Sequence, residues 1–426
     1  MSRTARSTLF HPAPAGHGAP GDGASRNPPE PRPGNGERHP PGAAGEARLL
    51  VLNALRRGGP GTRARLRDDT ALSAAGLGAA LEGLQRDELV IESARAGLPA
   101  GGAGRPANLF ALNPGGRFAV GVKIMENRVE AVLTDLATTV LAQASEAMPD
   151  VKPESVVRAT VAVTERLISG AGVPRAKLVG IGLAMPGIID SRSGVAVHVP
   201  PFEWTQVPLG RLLEEKLGRR AWLDNNSNTF AVAQHLFGHG RGLSDLVAVT
   251  IGRGIGAGLI VNNAIVRGRD GGAGEIGHTK LAFPAGSAEP RPCYCGKAGC
   301  LEAYAGEPAL RRELLAAHPG YAGQDDPLLS AVRDANPTAL DLCRQAGRLI
   351  GVSLGNLVNL LNPQLVVIAG EGIRLGPAVL EPLQAELRRA VFNGLGTGLP
   401  VIVDAWGDDA WGRGAASLAV QSVFSP

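Results

Sequence analysis

Cys293, Cys295 and Cys300 fall within the eight residues CYCGKAGC of a 426-residue chain that carries four cysteines in all. No other stretch restricts the fold as tightly. Three soft thiolates need a fourth ligand to close a tetrahedral metal site, and imidazole is the usual complement. His278 stands ready in GGAGEIGH, which completes the spacing H-x14-C-x-C-x4-C. Pro292, Tyr294, Gly296 and Gly299 describe a surface loop around the thiols, so the reading is a structural zinc ion (Zn2+) held by His278, Cys293, Cys295 and Cys300. Cys343 lies in an apolar helical stretch and is expected to pack.

The compartment supports metal over disulfides. No apolar run approaches the roughly 18 residues that a bilayer span needs. The N-terminus has Pro and Gly where a signal peptide needs an apolar core. The chain is therefore expected in the cytoplasm, free of membrane, where thiols stay reduced.

Residues 1–44 hold nine Pro and seven Gly with little apolar periodicity, which predicts a disordered tail. The formal charge of +4 comes entirely from the first 112 residues: five Arg against three acids in 1–44, and nine against seven in 45–112. Every base before Lys123 is Arg, the better fork for phosphates and guanine edges.

Residues 45–112 read as a small module of their own. EARLLVLNALRR places Leu49, Leu52 and Leu55 on one helical stripe, and TRARLRDDT follows the GGPG break as a second short helix. A third helix starts after Ser73, a plausible N-cap, with Leu77, Leu81 and Leu84 on one face. LVIES and NLFAL then form two strands joined by ARAGLPAGGAGRPA. Three helices and a hairpin is the order of a winged helix-turn-helix, and an ordinary α/β module or a protein-docking domain shares that order. On the DNA reading, Arg63 and Arg65 contact phosphates and Ser73 opens the recognition helix. Arg95 and Arg105 lie in the wing, where Gly-Arg-Pro at Arg105 suits a minor groove. Ala74, Ala75, Gly76, Gly78 and Ala79 leave the third helix few groups for base edges.

Beyond Asn113 the texture is α/β. FAVGVKI, VEAVLTDL, LVGIGLAMPG, LVAVTIGRGIGAGLIV and LVVIAGEG are β-rich runs, with helical stretches such as SVVRATVAVTERLIS between them. Mixed sheets covered by helices are expected, with ligands at glycine-rich strand ends.

GGAGEIGH followed by CYCGKAGCLEAYA resembles the signature of the ROK family of repressors, open reading frames and sugar kinases. GIGAGLIVNNAIVRG and VGIGLAMPGIID fit it too, and residues 46–112 resemble the winged helix of its repressor branch. The resemblance implies an α/β chain with a disordered tail (1–44), a winged helix-turn-helix (45–112) and a two-lobed, actin-like, ribonuclease H-like core of the sugar-kinase type (113–426). The first lobe would span about 117–224 plus the C-terminal helix, and the second about 225–409. It implies that Asn225, Asn226, Glu275, His278 and Glu302 face a sugar effector.

Two departures from the kinase pattern bear on function. The family's kinases carry Asn-Asp after a strand, the aspartate acting as base; WLDNNSN has Asn225 and then Asn226, an amide without useful basicity. Their D-x-G-G-T turn is here VGVKIMENRV, with Lys123, Met125 and Glu126 in place of the acid and the glycines. The expectation is a non-enzymatic transcriptional repressor of sugar-utilisation genes, a homodimer or dimer of dimers on operator DNA. The alternative is a zinc-containing kinase that phosphorylates a hexose with ATP.

Overall fold

The computed structural model describes residues 42–93, 108–281, 289–405 and 410–425. Of the expected tail, residues 1–41 lie outside the described residues, and Ala43 and Ala44 already belong to the first helix, so the tail boundary moves toward the N-terminus.

The amino-terminal head follows from local rules. Helices α1 (Ala43–Gly58), α2 (Arg63–Thr70) and α3 (Ala74–Arg86) precede an antiparallel hairpin of β1 (Val90–Ser93) and β2 (Leu109–Leu112). The Thr62 side chain accepts from Arg65 N, and Ser73 Oγ accepts from Gly76 N, so both inner helices start on a satisfied cap. Leu52, Leu55, Leu66, Leu77, Leu81 and Leu84 are buried together around Phe110. The hairpin loop, residues 94–107, lies outside the described residues.

The first lobe comprises β3 (Phe118–Ile124), β4 (Arg128–Asp135), β5 (Val140–Ala147), α4 (Pro153–Gly170), β6 (Leu178–Met185), β7 (Ile188–Asp190), β8 (Val195–Val199), β9 (Trp204–Val207), α5 (Leu209–Leu217) and β10 (Arg220–Asn225). Its main sheet runs β10-β6-β3-β4-β5, parallel at β10–β6 and β6–β3 and antiparallel beyond, with β7-β8-β9 as a small separate sheet. Helix α6 (Asn226–Phe237) leaves β10 directly and leads to the second lobe. That lobe holds β11 (Leu246–Ile251), β12 (Ile255–Val261), β13 (Ala264–Ile265), α7 (Glu302–Ala305), α8 (Glu307–Ala317), α9 (Pro327–Arg333), α10 (Pro337–Leu361), β14 (Leu365–Ala369), α11 (Pro377–Ala390) and β15 (Val401–Val403). Its sheet runs β13-β12-β11-β14-β15. The run LVAVTIGRGIGAGLIV is thus two antiparallel strands turning at Gly252–Gly254. Helix α12 (Ala410–Gln421) returns to the first lobe and packs on β3 and β6.

Glycines inside strands seat helices here. Gly121 and Gly182 are register partners on β3 and β6; a Cβ on Gly121 would stand 1.9 Å from Gly412 O, and one on Gly182 1.8 Å from Ala415 O. Any side chain there would lift α12 off the sheet. Gly256 and Gly258 do the same for α6, since their Cβ atoms would meet Ser227 Oγ at 2.3 Å and Ala231 Cβ at 2.4 Å.

The head does not close its own core. Its buried cluster continues into Ala119, Leu136, Ala416, Ala419, Val420 and Phe424, and residues 39–426 form one compact unit. Asn53 Nδ2 donates to Phe424 O (2.9 Å), and Arg56 Nη1 donates to Leu236 O (3.1 Å) at the end of α6. The Phe237 and Phe424 rings meet edge to face at 6.4 Å. A short amphipathic helix such as α1 gains most of its stability from packing, and α12 supplies the partner face.

Candidate functional site

The predicted metal ligands converge. One ligand atom each from His278, Cys293, Cys295 and Cys300 lies within 4.8 Å of the others. Antiparallel bridges Lys280↔Cys300 and Pro292↔Ala298 fold residues 292–300 on themselves and hold them beside Lys280, close to His278. Cys293 Sγ is 3.6 Å from His278 Nδ1, and Cys295 Sγ is 3.7 Å from Cys300 Sγ. Bond lengths of about 2.3 Å to sulfur and about 2.0 Å to nitrogen give tetrahedral edges of about 3.5–3.8 Å, so these residues fit a zinc-sized ion. The Lys280 ammonium, 2.9 Å from Cys300 Sγ, offsets part of the thiolate charge. Cys343 is fully buried in the second-lobe core, as expected, and burial pushes its thiol up to about 11.

With Nδ1 turned to the sulfurs, the imidazole presents Nε2 to a second, polar cluster. Nε2 lies 3.1 Å from Tyr294 Oη and 3.9 Å from Glu275 Oε2. Glu302, at the start of α7, is 8% exposed, and its Oε2 accepts from Ile255 N (2.9 Å). Burial, and then the neighbouring Glu302 carboxylate, push Glu275 up to about 7. The Tyr294 phenol is pushed upward by burial of its hydroxyl and then by the Glu302 charge. Tyr294 was expected only as part of a surface loop; its place between two ligand cysteines was the signal that it faces the histidine.

The start of α6 approaches the same place. Ser227 lies against Gly256, next to the Ile255 amide that holds Glu302. Asn225 caps α6, accepting from Ser227 N (2.8 Å) and donating to Gly187 O (3.0 Å). Asn226 Oδ1 is buried with no hydrogen-bond partner among the described residues. A buried acceptor left open is what a ligand hydroxyl can satisfy.

Two residues of the stretch that stands in place of the D-x-G-G-T turn face charged partners across the lobes. Lys123 Nζ, on β3, is 3.4 Å from Glu371 Oε1, which follows β14, and 5.0 Å from the Trp411 ring centre. Glu126 Oε1 pairs with Arg253 Nη2 at 2.9 Å, in the β11–β12 turn. The Gly254, Gly256 and Gly258 run is occupied by packing rather than left open for a phosphate: Gly256 and Gly258 by α6, and Gly254 by Glu302 Oε2, 3.0 Å from where its Cβ would be.

In the head, Ser73 is an exposed N-cap at the start of α3, and the Arg63 guanidinium lies 5.0 Å from the Phe110 ring centre. Arg65, expected on the phosphates, clamps the end of α1: its guanidinium donates to the carbonyls of Gly58, Gly59 and Pro60 and pairs with Asp69. Exposed Arg57 and Arg67, not singled out in the sequence, are freer. Arg95 and Arg105 lie outside the described residues.

Among the described residues no helix is long and apolar enough to cross a membrane. The chain is 27% identical over 372 residues to the xylose repressor of Bacillus spizizenii, covering 87% of this chain and 94% of that one. A solved ROK family transcriptional regulator, homologue of the E. coli MLC protein, superposes with a TM-score of 0.75 at 23% identity, over 88% of this chain and 96% of that one. A ROK family glucokinase from Streptomyces griseus, solved with glucose and AMPPNP, gives a TM-score of 0.60 at 28% identity, over 71% and 99%. The ROK family model itself matches residues 119–422, and the chain belongs to the ROK family.

Proposed function

We propose that the chain is a cytoplasmic transcriptional repressor of sugar-utilisation genes, with a structural zinc ion and a sugar effector bound by Asn225, Asn226, Glu275, His278 and Glu302. The observation that carries this reading is the contrast between two halves of one cleft. The sugar-facing half keeps two carboxylates, a zinc-oriented imidazole and an open amide oxygen. The half that would handle nucleotide phosphates is bridged by Lys123–Glu371 and Glu126–Arg253, and the base position holds Asn226. Exposed pairs such as Glu126–Arg253 add little stability. Their significance is positional, since Glu126 repels a phosphate. These features disfavour the kinase alternative.

Zinc would hold the histidine and the loop in place rather than take part in chemistry. The carboxylates accept hydroxyl protons, and the His278 Nε2–H donates. The effector then shifts the population of lobe arrangements, and the head, which shares its core with α12 and the end of α6, moves with them. Two heads on operator half-sites sum their affinities, so a homodimer or dimer of dimers is the working assembly.

The test is a titration of the chain's own promoter DNA with and without a panel of sugars, at several salt concentrations. Specific binding that one sugar alters about 5-fold to 150-fold supports the reading. DNA binding indistinguishable from that of unrelated DNA, with or without sugar, overturns it. In the same titration Arg105→Ala should weaken promoter binding more than non-specific binding. Equal affinity of variant and parent would remove the wing from the interface.

A further inference from the structure

The zinc loop does more than hold metal. Tyr294 lies between two ligand residues, Cys293 and Cys295, so its backbone is anchored on both sides once the metal is bound. Its ring is 65% exposed and touches the His278 ring edge to face at 5.3 Å. Only its hydroxyl is engaged, and it is engaged with a group assigned above to the effector. His278 Nε2 carries the proton when Nδ1 binds metal, so Nε2–H donates to Tyr294 Oη over 3.1 Å.

A sugar hydroxyl in this pocket would take the same bond, accepting from the His278 Nε2–H. We infer that Tyr294 is a gate: its phenol occupies the position of one effector hydroxyl in the ligand-free protein, and the effector enters by displacing it. This rests on the effector-pocket reading and deepens it. A ring exposed to this degree, with His278 as its ring partner among the described residues, changes rotamer on a fast timescale without moving the zinc ligands. The gate also selects. A ligand must bring a hydroxyl that accepts at this point, so a deoxy analogue lacking it does not replace the phenol.

The experiment is calorimetric titration of the full zinc-loaded chain, parent and Tyr294→Phe, with D-xylose, D-glucose and N-acetyl-D-glucosamine. Phenylalanine keeps the ring and removes the competing hydroxyl. The sugar that binds the parent should bind Tyr294→Phe about tenfold tighter, the value of one well-made hydrogen bond, with zinc content and Tm unchanged. A purely structural role for the hydroxyl would not produce tighter binding. Unchanged affinity in the variant overturns the gate, and weaker affinity makes Tyr294 a direct contact instead. If neither protein binds any of the three sugars, the effector-pocket reading fails and the gate fails with it. Binding by the variant alone supports the gate.

Discussion

Phe424→Ala tests the joint between head and core. Phe424 is 5% exposed, its ring meets Phe237 at 6.4 Å, and the Arg56 guanidinium lies 5.7 Å from its centre. Truncating a buried phenylalanine costs about 3–5 kcal/mol, and an edge-to-face partner accounts for about 1 kcal/mol of the upper range. The cation adds little: burial lowers Arg56 to about 10, which shows that its charge is already disfavoured there. The site also lies past the end of α12, where the chain can relax into the space. The lower end, about 3 kcal/mol, is therefore expected, or a fall in Tm of roughly 4 °C for a unit of this size. Below the melt, the head keeps Leu66, Leu81, Leu84 and Phe110, so promoter affinity measured by fluorescence anisotropy should survive. What should fall is the effect of the bound sugar on that affinity, because α1 no longer follows α6 and α12. A Tm change under about 2 °C, or an unaltered sugar effect, would refute the reasoning.

Cys295→Ser should lower zinc from near-stoichiometric to trace amounts after dialysis against a mild chelator, read by metal analysis, and should lower Tm; full zinc retention would sink the ligand assignment. Asn226→Asp restores a carboxylate at the base position, yet ADP release with any binding sugar should stay at background while Lys123 and Glu126 remain, and turnover approaching about 1 per second would contradict this. Arg65→Ala removes donors to three carbonyls and should cost about 1.5–3 kcal/mol of head stability while leaving the salt dependence of DNA binding unaltered. An unchanged Tm with a salt slope flatter by about one unit would return Arg65 to the phosphate backbone.

Much of this protein is written locally. The metal ligands span residues 278–300, the caps at Thr62 and Ser73 act within three residues, and the leucine stripes of α1 and α3 repeat within a turn or two. Signals of that range survive in the linear pattern because the same few residues both carry them and satisfy them. The proposed pocket was open to sequence reading in part: Glu275, His278 and Glu302 were named by motif, but not the Tyr294 hydroxyl, whose place against His278 depends on which way the loop turns its ring. The joint was not legible at all. Asn53 meets Phe424 across 371 positions and Arg56 meets Leu236 across 180. The ion pairs Lys123–Glu371 and Glu126–Arg253 likewise join charges whose partners no sequence pattern indicates. Spacing and periodicity determined the elements and the metal cluster, and the family resemblance exposed the loss of the kinase residues. Which elements share a core was decided by tertiary packing, since burial rewards any complementary apolar face and leaves no spacing by which to find its partner.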